Sequence, residues 1–270
     1  MPPEIFHDAK LKIKRANQHI QELQTKLAAF LQTDFCSLHV EEDAKTGNHL
    51  LKFEPTKPVP DDIPTIIGDA IHNLRATLDL VACEIITRAH GATDYVKFPV
   101  MDTRDKLIAA LNGGEIKVAG ADIIELIGNV IQPYKGGNGH AVWVLHGLDI
   151  TDKHLRLIPT VSVTALTHVT GKAGGVTFID CAFAVSEGGK IGILAMPGKF
   201  TFQGYGQPTF AVLFGKGQVF EGQPIVPTLH QLSQLIAGIV ETIEKAYLAR
   251  EQGSGHGAPA PPKSPPTAEK

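Results

Sequence analysis

The chain has 270 residues, 43% hydrophobic and 20% charged, with a formal net charge of -3. Such a composition belongs to a soluble globular protein of one large or two modest domains, and it excludes broad non-specific affinity for nucleic acid while leaving a local contact open. Three distant cysteines (Cys36, Cys83, Cys181) without a C-x-x-C pair fit a reducing, cytoplasmic setting. The N-terminal MPPEIFHDAK offers no apolar signal core, and no run approaches the roughly 18–20 apolar residues of a spanning helix, so no membrane is expected.

From Phe6 to about Leu31, the positions Phe6, Ala9, Ile13, Ala16, Ile20, Leu23, Leu27 and Phe30 recur in steps of three and four, which predicts an amphipathic helix. Its basic run, residues 10–15, is read as a solvated face. FCSLHVEE (35–42) and HLLKFE (49–54), joined by a Gly- and Asn-containing segment, predict a β-hairpin. PTKPVPDD then breaks the chain, leaving Asp61 or Asp62 to cap the next helix with Pro64 in its first turn.

That helix, 63–88, organises the rest. Ile67, Ile71, Leu74, Leu78, Val81 and Ile85 form one buried stripe. At about 100° per residue, Asp69, His72 and Asp79 fall roughly opposite, with Arg75 on the flank between. A face meant for water would carry Lys and Glu, whereas this one sets small residues such as Ala76 and Cys83 between hydrogen-bonding groups. It reads as a partly buried polar face.

Beyond it come a loop with one short strand (90–102), helices around 104–111 and 121–131, the second stopped by Pro133, and a glycine-rich turn at 133–140. A helix is expected over 141–152. From Leu155, short β-branched and aromatic runs separated by Gly, Pro and Lys predict an antiparallel sheet over about 155–220. Thr228 is expected to cap a final helix bearing Leu229, Leu232, Ile236, Ile239, Ile243 and Ala246, which packs with the first helix or the central one. The fold class is α+β: a single domain over 1–250 with long N-terminal, central and C-terminal helices, a hairpin and a sheet region, followed by a disordered tail at 251–270.

G-x-S-x-G, H-E-x-x-H, G-x-x-x-x-G-K-[ST] and a strand-to-helix G-x-G-x-x-G are all absent, which argues against the common serine hydrolases, zincin proteases, P-loop NTPases and dinucleotide enzymes. Two polar clusters remain. His72, Arg75 and Asp79 are spaced to converge above one helix surface, where histidine can move protons, arginine can hold an anionic oxygen and the carboxylate can orient either. Otherwise Arg75 and Asp79 form an intrahelical ion pair beside a core histidine.

HGLDITDKH (146–154) is the second cluster. His146, Asp149 and Lys153 share a face, with Asp152 and His154 beside them. The gap between its histidines is not a recognised ligand spacing, so no cofactor is expected, with a divalent metal as the lesser alternative. The bland alternative is a helix end whose Lys153 and His154 meet the dipole.

Neighbouring helices would make His72, Arg75, Asp79, Asp152, Lys153 and His154 one cleft with acid, base and anion holder. The expected function is a hydrolase acting on a phosphodiester or glycosidic bond; Asp79 with Asp149 or Asp152 is a candidate glycosidase-like carboxylate pair. The alternative is a non-catalytic binding or assembly protein, a homodimer through its terminal helices, whose clusters are structural ion-pair networks.

IGDAIHNLRATLDLVA (67–82), FPV (98–100), LIGNVIQPY (126–134) and LHGLDITDKH (145–154) resemble a widespread bacterial and phage-associated family of uncharacterised proteins, marked by I-G-D-x-x-H-N-L-R-x-x-L-D and L-D-x-x-D-K-H. The resemblance covers the middle third of the chain and implies little about activity. Members often read RSALDH where this chain has RATLDL, which is similar to the arginine and histidine motif of the helical HEPN-type ribonucleases linked to phage defence. Arg75 matches that motif; Leu80 stands in place of its histidine.

Overall fold

The computed structural model describes residues 4–42, 44–45, 47, 49–91, 96–154, 159–173, 175–184, 194–196, 200–204 and 207–254. Helix α1 (His7–Leu31), α2 (Ile63–Arg88) and α6 (Ile225–Ser254) pack on one another, and α5 (His140–His154) lies against α2 and α6. The stripe foreseen in α2 is fully enclosed: Ile67, Ile71, Leu74, Leu78, Val81 and Ile85 are all buried. Each such side chain contributes about 1.5–3 kcal/mol of apolar transfer. Ile20, Leu23 and Leu27 of α1 and Leu229, Leu232, Ile236 and Ile243 of α6 face the same core, so their heptad-like stepping is accounted for by packing within one chain.

The start of α1 illustrates the fit. Phe6 takes a left-handed φ of 56° at the N-cap, an unfavourable conformation for a bulky residue. Its ring is wholly buried, edge-on to Tyr247, and its N–H donates to Glu84 of α2 over 3.0 Å. Burial and the charge-assisted bond offset the strain.

Between α2 and α5 run α3 (Arg104–Gly113), a 3-10 turn (Glu115–Ala119), and α4 (Ala121–Glu125). The helix expected over 121–131 is split: after Glu125 the chain rewinds as a π-helix over Leu126–Ile131 and ends in a left-handed Gln132 before Pro133. Residue Met101 bridges to Tyr134, which anchors the loop before α3; residues 92–95 of the expected loop and strand lie outside the described residues.

Strands β1 (Cys36–Glu42) and β2 (His49–Pro55) form the foreseen hairpin, in register from Cys36 opposite Pro55 to Glu42 opposite His49. In the later region, β3 (Pro159–Ala173) pairs with β4 (Val176–Ala184) on one side and with β6 (Phe200–Gly204) and β7 (Gln207–Phe214) on the other, always antiparallel. One run departs from the single expected sheet: β5 (Leu194–Met196) adds to β2, making the hairpin three-stranded. Val212 and Phe214 of β7 enter the main core, and Phe210 meets Phe35 edge-on, so the sheet is fastened to the helices.

Three local expectations are corrected. Asp62 does sit at the N-cap of α2 but makes no capping bond, because its carboxylate binds Lys26 of α1. Thr228 lies inside the first turn of α6, donating to the Pro224 carbonyl, instead of preceding the helix. Helix α6 also runs to Ser254, into the segment read as tail; residues 255–270 lie outside the described residues. Among the described residues, no helix is long and apolar enough to cross a membrane.

Candidate functional site

Helices α2 and α5 meet along their polar faces, in opposite chain order. Gly68 faces Asp152, His72 faces Asp149, and Arg75 faces His146. The helices are therefore antiparallel, and spacings of three and four residues on each put successive pairs about one turn apart. This seam unites the two clusters found in the sequence.

At the middle rung, His72 Nδ1 lies 2.9 Å from Asp149 Oδ1, while Lys153 Nζ donates to Asp149 Oδ2 over 2.5 Å. The Asp149 side chain is only 6% exposed, whereas that of His72 is 52% exposed. A carboxylate flanked by a lysine accepts, so Nδ1 carries the imidazole proton and Nε2 of the neutral ring is left as a free base. Asp149 thus fixes both the orientation and the tautomer of a solvent-facing histidine.

One turn away the carboxyl of Asp152 sits over Gly68, where any side chain would block it. Partial burial pushes its pKa up, and the neighbouring charges of Asp149 and Asp69 push the same way; His72 and Lys153 oppose them. A carboxylic acid so placed keeps its proton to higher pH than an exposed aspartate.

The third rung is built differently. Arg75 has a side chain only 5% exposed. Its guanidinium donates to Asp79 Oδ1 (2.7 Å), to the Phe98 carbonyl (3.1 Å) and, through Nε, to His146 Nδ1 (3.2 Å). Asp79 Oδ1 in turn accepts from the Phe98 N–H at 2.8 Å. Arg75 and Asp79 are therefore drawn together as expected, but they close on the loop at Phe98 and on His146, not on an open anion site. Because Arg75 donates to Nδ1, His146 holds its proton on Nε2, the opposite tautomer to His72. Burial lowers the His146 pKa, helped by the adjacent Arg75 charge.

Of the six residues singled out in the sequence, His72, Asp152 and Lys153 share the exposed end of the seam, and Arg75 and Asp79 its buried end. His154 closes α5, and its side chain lies outside the described residues. Asp149 and His146 were missing from that set, although both belong to the HGLDITDKH stretch. The signal for Asp149 was available: it is the acidic residue placed between three- and four-residue neighbours on both sides. Leu80, at the place of the ribonuclease-type histidine, packs against the core. Among the described residues, no group of three His, Cys, Asp or Glu side chains converges as metal ligands.

Compared with protein-family models, with curated proteins and with solved structures, the chain finds no match. The site is accordingly read from its own chemistry.

Proposed function

We propose that the chain is a hydrolase whose active groove is the seam between α2 and α5, and that it cleaves a glycosidic bond in an uncharged substrate. The observation that carries this reading is the exposed His72 held by the buried Asp149, which leaves Nε2 as an oriented base. In the proposed step, Nε2 takes a proton from water as the water oxygen attacks the anomeric carbon. The carbon–oxygen bond to the leaving group breaks, and Asp152 gives its proton to the departing oxygen. Both groups then re-equilibrate with solvent.

Charge supports a glycosidic bond over a phosphodiester. Lys153 is paired with Asp149 and Arg75 with Asp79, which leaves Asp69, joined by Asp152 once it has given up its proton, to set the local field. That field suits a transition state gaining positive charge and opposes a phosphate. On this reading the two motifs that resemble those of the uncharacterised family contribute the two walls of one groove, IGDxxHNLRxxLD from α2 and LDxxDKH from α5.

The alternative, a binding protein with structural ion-pair networks, is favoured by the internal closure of Arg75 on Asp79, Phe98 and His146. A screen of chromogenic glycosides, esters and phosphodiesters plus labelled RNA, with and without EDTA, decides between them when run beside His72→Ala. Glycoside turnover that falls by about 10²–10⁴-fold in a folded variant supports the hydrolase. Silence across the panel supports the binding protein.

A further inference from the structure

The buried end of the seam opens into a cleft of about 360 Å³ that the proposed hydrolysis leaves unused. Its walls come from the loop 96–101 and the segment 110–116, with Arg75 and His146 supplying its polar groups. The volume is within the range of small-molecule pockets. Pro99, Met101, Ala110 and Ile116 make much of the lining apolar. The wall is preformed, since the Phe98 N–H and carbonyl are tied to Asp79 and Arg75 respectively.

The polar groups limit what can bind. The Arg75 charge is matched by Asp79 at 2.7 Å, and three of its five N–H donors are turned to Asp79, Phe98 and His146, so the floor carries little net charge. His146 cannot be an acceptor at Nδ1, because an arginine that never loses its proton donates there. Its remaining nitrogen, Nε2, is a donor. At the rim, Lys97 and Glu115 are of opposite sign.

We propose that this cleft is a binding site for a small, uncharged molecule that is part apolar and part polar, held at one acceptor oxygen by Nε2–H of His146. The site needs no turnover to be real, so it stands or falls separately from the hydrolase reading. A depressed His146 pKa keeps the donor neutral at physiological pH, which is consistent with an uncharged partner.

Three probes test the proposal in the full chain: tetrahydropyran, its oxygen-free isostere cyclohexane, and cyclohexanecarboxylate. Binding is followed by the amide NMR shifts of Phe98, Val100 and Met101 and by the His146 ring nitrogens. Tetrahydropyran is expected to bind about tenfold more tightly than cyclohexane, the worth of one buried hydrogen bond, and His146→Phe is expected to abolish that preference. Because this variant also deprives Arg75 of a partner, Ala110→Leu serves as a second test: it fills the cleft from the opposite wall and should block both probes without touching the polar network. Equal binding of the two isosteres, tighter binding of the carboxylate, or no shift at these amides up to the solubility limits overturns the proposal.

Discussion

The carboxyl of Asp152 occupies the space that a β-carbon on Gly68 would need, so the closest approach of α5 to α2 depends on a glycine in mid-helix. Glycine there costs about 1 kcal/mol of helix stability relative to alanine. Gly68→Ala is therefore expected to evict a flexible carboxyl end without harming the fold: the melting temperature should hold or rise, while hydrolysis falls. Full activity in this variant would falsify a role for the seated Asp152.

Asp152 also makes a pH prediction. Its folded pKa lies above the unfolded value, so the native state binds the extra proton between the two. The stabilisation is complete below the unfolded pKa and is lost as pH rises through the folded one. Asp152→Asn should accordingly melt higher than the parent at neutral pH, with the advantage vanishing in acid, and should lose turnover. Melting curves across pH check the first claim; an unchanged difference at all pH values contradicts it.

The sign is reversed for the other titrating element of the seam. His146 has its pKa lowered by burial and by Arg75, so unfolding takes up a proton once pH drops below the ordinary histidine value. Native stability should decline as pH falls from about 6.5 towards the depressed folded value. His146→Gln, which does not titrate, should decline less over that window in urea titrations at matched pH.

His72 and Asp149 should separate activity from stability. His72 is exposed, so His72→Ala is expected to change stability by less than about 0.5 kcal/mol while removing the base. Asp149→Asn keeps the shape but has one acceptor oxygen where Asp149 has two, so it cannot accept from both His72 and Lys153, and it should reduce turnover nearly as far. A double variant no slower than either single one would mark the two as a unit.

Much of this was legible in the residues themselves. The stripes of α1, α2 and α6 follow from spacing because burial of an amphipathic face dominates helix placement. The hairpin followed from its turn and flanking β-formers. The rung order did not: spacing puts His72 on a polar face but cannot say that Asp149, seventy-seven positions later, will orient it. Nor could it show that Arg75 turns inward, because an arginine beside an aspartate four residues on looks the same on an open surface as beneath the Phe98 loop. The π-helical turn at Leu126–Ile131 and the transfer of Leu194–Met196 to the hairpin are outcomes of tertiary packing that local propensity does not encode.

The inward turn of Arg75 carries the last prediction. Replacing it with leucine would leave the Phe98 carbonyl and His146 Nδ1 without their donor and Asp79 without its cation. Breaking one side of a buried pair costs about 3–5 kcal/mol, and the partial exposure of Asp79 places the expected loss near the lower end, about 3 kcal/mol. Arg75→Lys should recover little, since a point charge cannot reach three acceptors set in a guanidinium's plane. Arg75→Leu combined with Asp79→Leu should cost less than the sum of the two single changes, because the second removes the charge the first leaves stranded. Urea unfolding of the four proteins measures the coupling. Additive losses, or an Arg75→Leu cost below about 0.5 kcal/mol, would mean that the loop at Phe98 is held by other contacts and that Arg75 is free to serve the groove directly.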